Sequence, residues 1–263
     1  MLTAVDVRPA PRSRRRPSNA IKAAIGIVAY LALWEIAGRQ GWLGNTFPPL
    51  SDIVAKVVDD TPQRATIFRA LGSTASAALA GFLLGIAAAL AGAVLSLLVP
   101  PLRPGIDKLA TIVHAMPVIT LAPLFIVTLG RDKTPTAIAA LAAGFAMFVA
   151  STAAVEAARP LQQDLFTALG ATKWDRFRRL QLPAAFPGMA DGLRLAAPAA
   201  ILGAVLGEWF GAPRGLGVLI VSAMQNYQIE LLWAAALLAA VLSMVTFGCF
   251  TLLARYAATR WAV

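Results

Sequence analysis

The stretch Asp164-Leu165-Phe166-Thr167-Ala168-Leu169-Gly170-Ala171-Thr172-Lys173-Trp174-Asp175-Arg176-Phe177-Arg178-Arg179-Leu180-Gln181-Leu182-Pro183 is a polar island in an otherwise apolar chain. Leu161, Leu165, Ala168 and Leu169 recur at helical spacing. Gly170 then breaks or caps that helix. Lys173 to Phe177 opens a second short helix with an aromatic and basic face, which Pro183 and Pro187 are expected to end and redirect. The whole segment, about residues 156–188, reads as a helix–turn–helix elbow. Phe166, Trp174 and Phe177 suit insertion into a groove on a partner. The alternative is that they pack back onto the bundle or a lipid surface.

Outward from the elbow the chain is strongly apolar. Of 263 residues, 59% are hydrophobic and only 14% charged, and the mean hydropathy is +0.71. A soluble domain carries about 25% charged residues, so this chain lacks the polar surface to cover a water-exposed core. Six apolar runs are long enough to cross a bilayer. They cover about Ile21 to Ala37, Ala70 to Val99, Ile106 to Leu129, Pro135 to Val155, Met189 to Phe210 and Leu231 to Ala254. The expected fold class is therefore all-α integral membrane, with a basic, proline-rich and disordered tail over 1–19 and one transmembrane domain over 20–263. The first run lacks a clear small-x-small cleavage site and reads as a retained helix. Ser51, after Phe47-Pro48-Pro49-Leu50, is placed to cap a short amphipathic helix over Asp52 to Asp59. Gly81 and Gly85 form a small-residue face for close helix approach.

Charge gives the orientation. With a cytoplasmic N-terminus, the inner segments hold fifteen Lys and Arg and the outer segments seven, so both termini and the elbow are expected in the cytoplasm. The net charge of +10 does not point to nucleic acid, because Arg12, Arg14, Arg15 and Arg16, and again Arg176, Arg178 and Arg179, flank apolar runs while the aromatics stand inside them. Cys249 is alone and His114 is the single histidine, so neither an intrachain disulfide nor a cysteine metal site is expected. The phosphate-cradling Gly-x-x-x-x-Gly-Lys-Ser/Thr pattern is absent, so ATP hydrolysis by this chain is not expected.

Gly170, followed after nine positions by Leu180-x-Leu182-Pro183, resembles the EAA loop of binding-protein-dependent ABC importer permeases, whose pattern is Glu-Ala-Ala-x-x-x-Gly, nine variable positions, then Ile-x-Leu-Pro. The opening differs, with Asp164-Leu165-Phe166 in place of Glu-Ala-Ala. Phe47-Pro48-Pro49-Leu50-Ser51, Ala80-Gly81-Phe82-x-x-Gly85, Met116-Pro117 and Leu121-Ala122-Pro123-Leu124-Phe125 resemble the sulfonate, taurine and nitrate permeases of that group. So do Gly192-Leu193-Arg194-Leu195-Ala196, Gly207-Glu208 and Gly215-Leu216-Gly217. At Leu129-Gly130-Arg131-Asp132-Lys133 the chain departs from the family's Phe-Gly-Ile-Gly.

The resemblance implies a type I importer permease in the bacterial inner membrane, with a cytoplasmic coupling helix. It further implies a homodimer of this chain, two ATP-binding subunits that carry ATP and Mg, and a periplasmic or lipid-anchored solute-binding protein. No cofactor is implied for this chain. Asp164, Ala168, Gly170, Ala171, Trp174, Phe177, Leu180, Leu182 and Pro183 would couple to the ATPase. Candidates for the substrate path are His114, Met116, Pro117, Thr120 and Glu208, with Thr128 beside them. For His114 the alternative is a helix-packing role. Thr120 and Thr128 have the alternative of bonding their own helix, and Glu208 that of bracing the Gly211–Gly217 loop. The cargo is expected to be a sulfonate, taurine, nitrate, a vitamin precursor or another small organic solute. Among other classes, a secondary transporter would show coupled acidic residues at midspan, and an intramembrane hydrolase a Gly-x-Ser-x-Gly or His-Glu-x-x-His motif. Few acidic residues fall at midspan here, the elbow has no role in a secondary transporter, and neither hydrolase motif is present.

Overall fold

A computed structural model describes residues 17–59, 61–155 and 160–261, and among these every regular element is helical. In chain order the helices are α1 (Pro17–Arg39), α2 (Leu50–Val58), α3 (Thr61–Leu98), α4 (Arg103–Ala115), α5 (Val118–Leu129) and α6 (Thr134–Val155). They continue with α7 (Pro160–Ala168), α8 (Lys173–Arg176), α9 (Leu182–Glu208), α10 (Leu216–Gln225) and α11 (Ile229–Trp261). Five helices are long and apolar enough to cross a membrane, and six spans result if α4 and α5 are counted as one broken span. Helix α1 begins at Pro17, inside the expected tail; residues 1–16 of that tail lie outside the described residues.

The third span is not the single helix expected from Ile106 to Leu129. It breaks at Met116-Pro117, and the two pieces are bent by 103°. A residue before proline is driven out of the α region by the pyrrolidine ring, and Met116 accordingly takes φ −69°, ψ 126°. Pro123, by contrast, is tolerated inside α5.

The entry to the fifth span also differs from expectation. Pro183 and Pro187 do not end the elbow helix; α8, a π turn over Phe177–Gln181 and α9 run on without a gap. The amide of Leu182 donates to the carbonyl of Phe177, five residues back. Proline needs room at the carbonyl four residues before it. The wide turn lies immediately before Pro183, where that room is needed.

The chain divides into two compact units, Met1–Ile53 and Val54–Val263. In the larger, α6 is the central helix, between α3 and α9. Backbones come close enough there that side chains are excluded. A Cβ on Gly81 would stand 2.5 Å from Ala139 Cβ, and one on Gly85 would collide with the carbonyl of Ala140. On the other flank, a Cβ on Gly192 would meet Ala150 Cβ at 2.6 Å and one on Gly203 would meet Ala139 Cα at 2.9 Å. Alanines fill the seam, with Phe82, Met147, Phe148 and Ile201 as the larger members of the core. Without a hydrophobic driving force between helices in lipid, such close van der Waals contact is what holds a bundle together. Leu79, Leu83, Met244, Leu252 and their neighbours are left exposed on the outside, as a lipid-facing surface requires.

In the smaller unit the turn at 47–51 is clamped to the end of α1. The Trp34 indole N–H donates to Pro48 O at 3.2 Å, and its ring stacks on Phe47 with centroids 5.1 Å apart. Ser51 is not the cap of α2, which starts one residue earlier. Its own amide donates to Glu35 Oε2 at 3.0 Å, and Glu35 Oε1 accepts from Ser51 Oγ at 2.8 Å and Arg39 Nε at 2.6 Å. A carboxylate at a helix N-terminus satisfies orphan amides and the helix dipole together. Glu35→Ala is expected to raise amide exchange at Ser51 about tenfold, the loss of one charge-assisted hydrogen bond. Hydrogen exchange of the 47–58 peptide in lipid nanodiscs checks this, and unchanged protection would refute the clamp.

Candidate functional site

The elbow stands at one end of the larger unit. Helix α7 stops in a Schellman turn: the Ala171 amide donates to Phe166 O and the Gly170 amide to Thr167 O, both at 3.0 Å. Gly170 takes φ +72°, where an L residue is strained by about 1–2 kcal/mol. Thr172 then starts α8, accepting from the Asp175 amide at 3.1 Å while its hydroxyl donates to Asp175 Oδ2 at 2.5 Å. Thr172 is thus a side-chain N-cap of α8, with the Asp175 carboxylate bonded to its hydroxyl. Arg176 Nη1 ties the two arms, donating to Thr167 Oγ1 at 3.3 Å. Arg179 lies 3.9 Å from Asp175, and Arg178 is exposed.

Two caps and a cross-arm bond thus fix an elbow whose tip is apolar and open. Leu169 is 75% exposed, Trp174 62% and Leu165 56%. Trp174 leans on Phe177, with ring centroids 5.7 Å apart, and Phe177 is half-buried. The predicted coupling residues separate into two groups. Asp164, Ala168, Gly170 and Trp174 are exposed at the tip. Ala171, Leu182 and Pro183 are half-buried and Leu180 is buried, so these root the elbow in the fold. Residues 156–159, including Glu156 and Arg159 of the expected loop, lie outside the described residues.

At the opposite end, Glu208 joins three helices. It is 1% exposed. Its Oε2 accepts from the Gly217 amide at 2.8 Å and lies 3.0 Å from Thr74 Oγ1. Thr74 Oγ1 in turn accepts from the Leu216 amide at 2.8 Å. The first two amides of α10 are therefore capped by side chains of α9 and α3. Gly215 and Gly217 make the approach possible. Gly215 is at φ +137°, and its missing Cβ would overlap the Glu208 carboxyl; a Cβ on Gly217 would collide with Val205 O. The expected motifs Gly207-Glu208 and Gly215-Leu216-Gly217 are thus one structural unit. Beside it opens a cavity of about 990 Å³, bordered by Arg69, Asp132, Arg214 and Glu208.

The remaining path candidates sit elsewhere. His114 stacks flat on Phe145 of α6, centroids 3.5 Å apart and planes 4° from parallel. Thr120 and Thr128 donate to carbonyls of their own chain, Pro117 O at 2.7 Å and Leu124 O at 2.8 Å. Met116 and Pro117 form the break between α4 and α5 and are exposed. Pro135 of α6 packs at Gly207 and Phe145 lies ten residues on. That is ~15 Å along the helix, so His114 and Glu208 do not share one site.

Residues 81–262 match the family model described as the binding-protein-dependent transport system inner membrane component. The chain belongs to this family. It is a multi-pass membrane permease of ABC transporters, a component that is not itself an enzyme. The permease is 30% identical over 207 residues to the formylaminopyrimidine transport permease protein ThiX of Halalkalibacterium halodurans, covering 77% of this chain and 81% of that protein. It is 26% identical to the putative aliphatic sulfonates transport permease protein SsuC of Bacillus subtilis, over 86% of this chain and 82% of that one. The riboflavin transport system permease protein RibX of Chloroflexus aurantiacus matches at 30% over 53% of this chain and 51% of its own length. Among solved structures, a chain of the MetNI methionine ABC transporter in inward-facing conformations superposes with a TM-score of 0.63 at 18% identity, covering 74% of this permease and 98% of that chain. That likeness supports the type I importer permease fold.

Sequence reasoning missed Thr74, Arg69 and Arg214. Thr74 carries only the weak signal of a hydroxyl on a buried face of an apolar run. Asp132 sits in the turn singled out at Arg131-Asp132-Lys133, but nothing local placed it beside a cavity.

Proposed function

We propose that two copies of this permease form the translocation path of an importer for a small organic solute, fed by a separate solute-binding protein. Two partner subunits that bind ATP and Mg would drive it. The observation that carries the coupling half is the elbow: a rigid, doubly capped projection whose tip exposes Leu165, Leu169 and Trp174. Exposed apolar and aromatic side chains on a fixed scaffold are the usual anchors for a partner groove. The bias of fifteen inner to seven outer Lys and Arg supports cytoplasmic termini and a cytoplasmic elbow. Closure of the ATPase around the tip would then favour one transporter state through a coupling free energy. Asp164, Ala168, Gly170, Ala171, Trp174 and Phe177 make up the contact, and Leu180, Leu182 and Pro183 transmit it into α9.

The cargo belongs with those of the relatives, which are named for a formylaminopyrimidine, aliphatic sulfonates and riboflavin; taurine and nitrate join them by resemblance. Deletion of 164–177 is expected to abolish recovery of the ATPase with tagged permease from native membranes, with membrane insertion intact. Undiminished co-purification would overturn the coupling assignment.

A further inference from the structure

The cavity at the end opposite the elbow has a lining of unusual balance for a membrane protein. Two arginines, Arg69 and Arg214, border it together with two acidic residues, Asp132 and the buried Glu208, and with hydroxyl residues including Ser73 and Thr136. Its volume of about 990 Å³ lies at the upper end of the size range of small-molecule sites. Arg69 is held in place by its own helix, donating to Ala65 O at 3.2 Å and Thr66 Oγ1 at 3.3 Å. Most telling is Glu208. Its Oε2 takes two partners, yet its Oε1 is buried with none. A buried acceptor without a donor costs about 1–3 kcal/mol. The backbone against it is bare glycine at Gly215, which also borders the cavity.

We propose that this cavity binds a zwitterionic solute, with Glu208 Oε1 and Asp132 taking an ammonium or amino group and Arg69 and Arg214 taking an anionic group. The proposal rests on the reading of the chain as a solute permease and narrows its cargo. A simple anion entering here would meet two carboxyl groups with nothing to offer them. A simple cation would meet two guanidinium groups. A solute carrying both charges satisfies all four and supplies the donor that Oε1 lacks. Discrimination would then come as much from what the wrong solute leaves unpaired as from what the right one gains.

The test uses the full-length permease in lipid nanodiscs and two pairs of probes that differ only in the amino group: taurine against ethanesulfonate, and β-alanine against propionate. Ligand-induced shifts in Tm, titrated to give Kd, are the readout. The amino-bearing member of at least one pair is expected to bind tenfold or more tightly than its mate. Glu208→Gln is expected to erase that difference. Arg69→Gln, an exposed change that keeps the fold, is expected to weaken the zwitterion at least tenfold. Equal binding within both pairs, no shift with any of the four probes, or full discrimination in Glu208→Gln would each overturn the proposal. ATPase recovery after deletion of 164–177 is read separately. If that deletion still abolishes recovery while the probes fail, the cavity assignment fails alone; if recovery survives, the coupling assignment fails, whatever the probes show.

Discussion

Gly207→Leu is expected to eliminate properly packed permease, lowering the yield of monodisperse protein by tenfold or more. A Cβ at this position would stand 2.6 Å from Pro135 Cα, 3.2 Å from Pro135 N and 3.3 Å from Ile138 Cδ1. The first two obstacles are backbone atoms, and no rotamer change moves them. Overpacking a core ordinarily costs about 1–3 kcal/mol. Here the leucine forces α9 away from α6 along a seam that also includes Gly188, Gly192 and Gly203. In lipid, nothing like the hydrophobic effect pulls the helices back together. Gly207→Ala should fall between the wild type and the leucine variant. Gly248→Leu is the control, because a Cβ on Gly248 meets nothing within 4 Å. Size-exclusion profiles and Tm in detergent decide the matter. Equal behaviour of Gly207→Leu and Gly248→Leu would show that the α6–α9 seam is not the constraint described here.

The close packing around α6 was half legible in the sequence. Gly81-x-x-x-Gly85 announces a close helix approach, and the structure adds that α6 is the helix approached. The same spacing occurs at Gly188/Gly192 and Gly203/Gly207 and would have flagged α9 as a second close-packing helix. What spacing does not carry is the partner, because small faces are interchangeable. The break in the third span was written in Met116-Pro117, since a residue before proline resists the α region. The π turn ahead of Pro183 was not: proline says that the ladder must be interrupted, and either a stop or a widened turn meets that need. At the elbow, Gly170 acts through bonds three and five residues long, so local reading captured that cap, whereas the Thr172 cap on α8 went unread. Glu208 and Thr74 are 134 positions apart. Arg69, Asp132 and Arg214 come from three separate segments, so the cavity exists only once the helices are packed.

The same distinction between local and long-range causes governs the Glu208 unit, where the second large effect is expected. Glu208→Gln should reduce uptake at least tenfold while leaving insertion and ATPase association near normal. Glutamine keeps an oxygen for the Gly217 amide but removes the carboxylate charge at the cavity's border. Glu208→Ala should in addition lower Tm, because the Gly217 amide at the start of α10 then loses its acceptor, a cost of about 1–3 kcal/mol for a buried donor. Gly217→Ala attacks the same contact from the other side: its Cβ would collide with Val205 O and stand 2.8 Å from Glu208 Cβ and 2.9 Å from Trp209 Cδ1. Either change detaches α10 from α9, and a contact is lost only once. The double variant Glu208→Ala/Gly217→Ala is therefore expected to fall in Tm little further than the worse single variant, the non-additivity of residues in direct contact. Fully additive losses would mean that the two residues support α10 independently. Normal uptake by Glu208→Gln would remove the carboxylate from transport and leave it only the bracing role that its bond to Gly217 already explains.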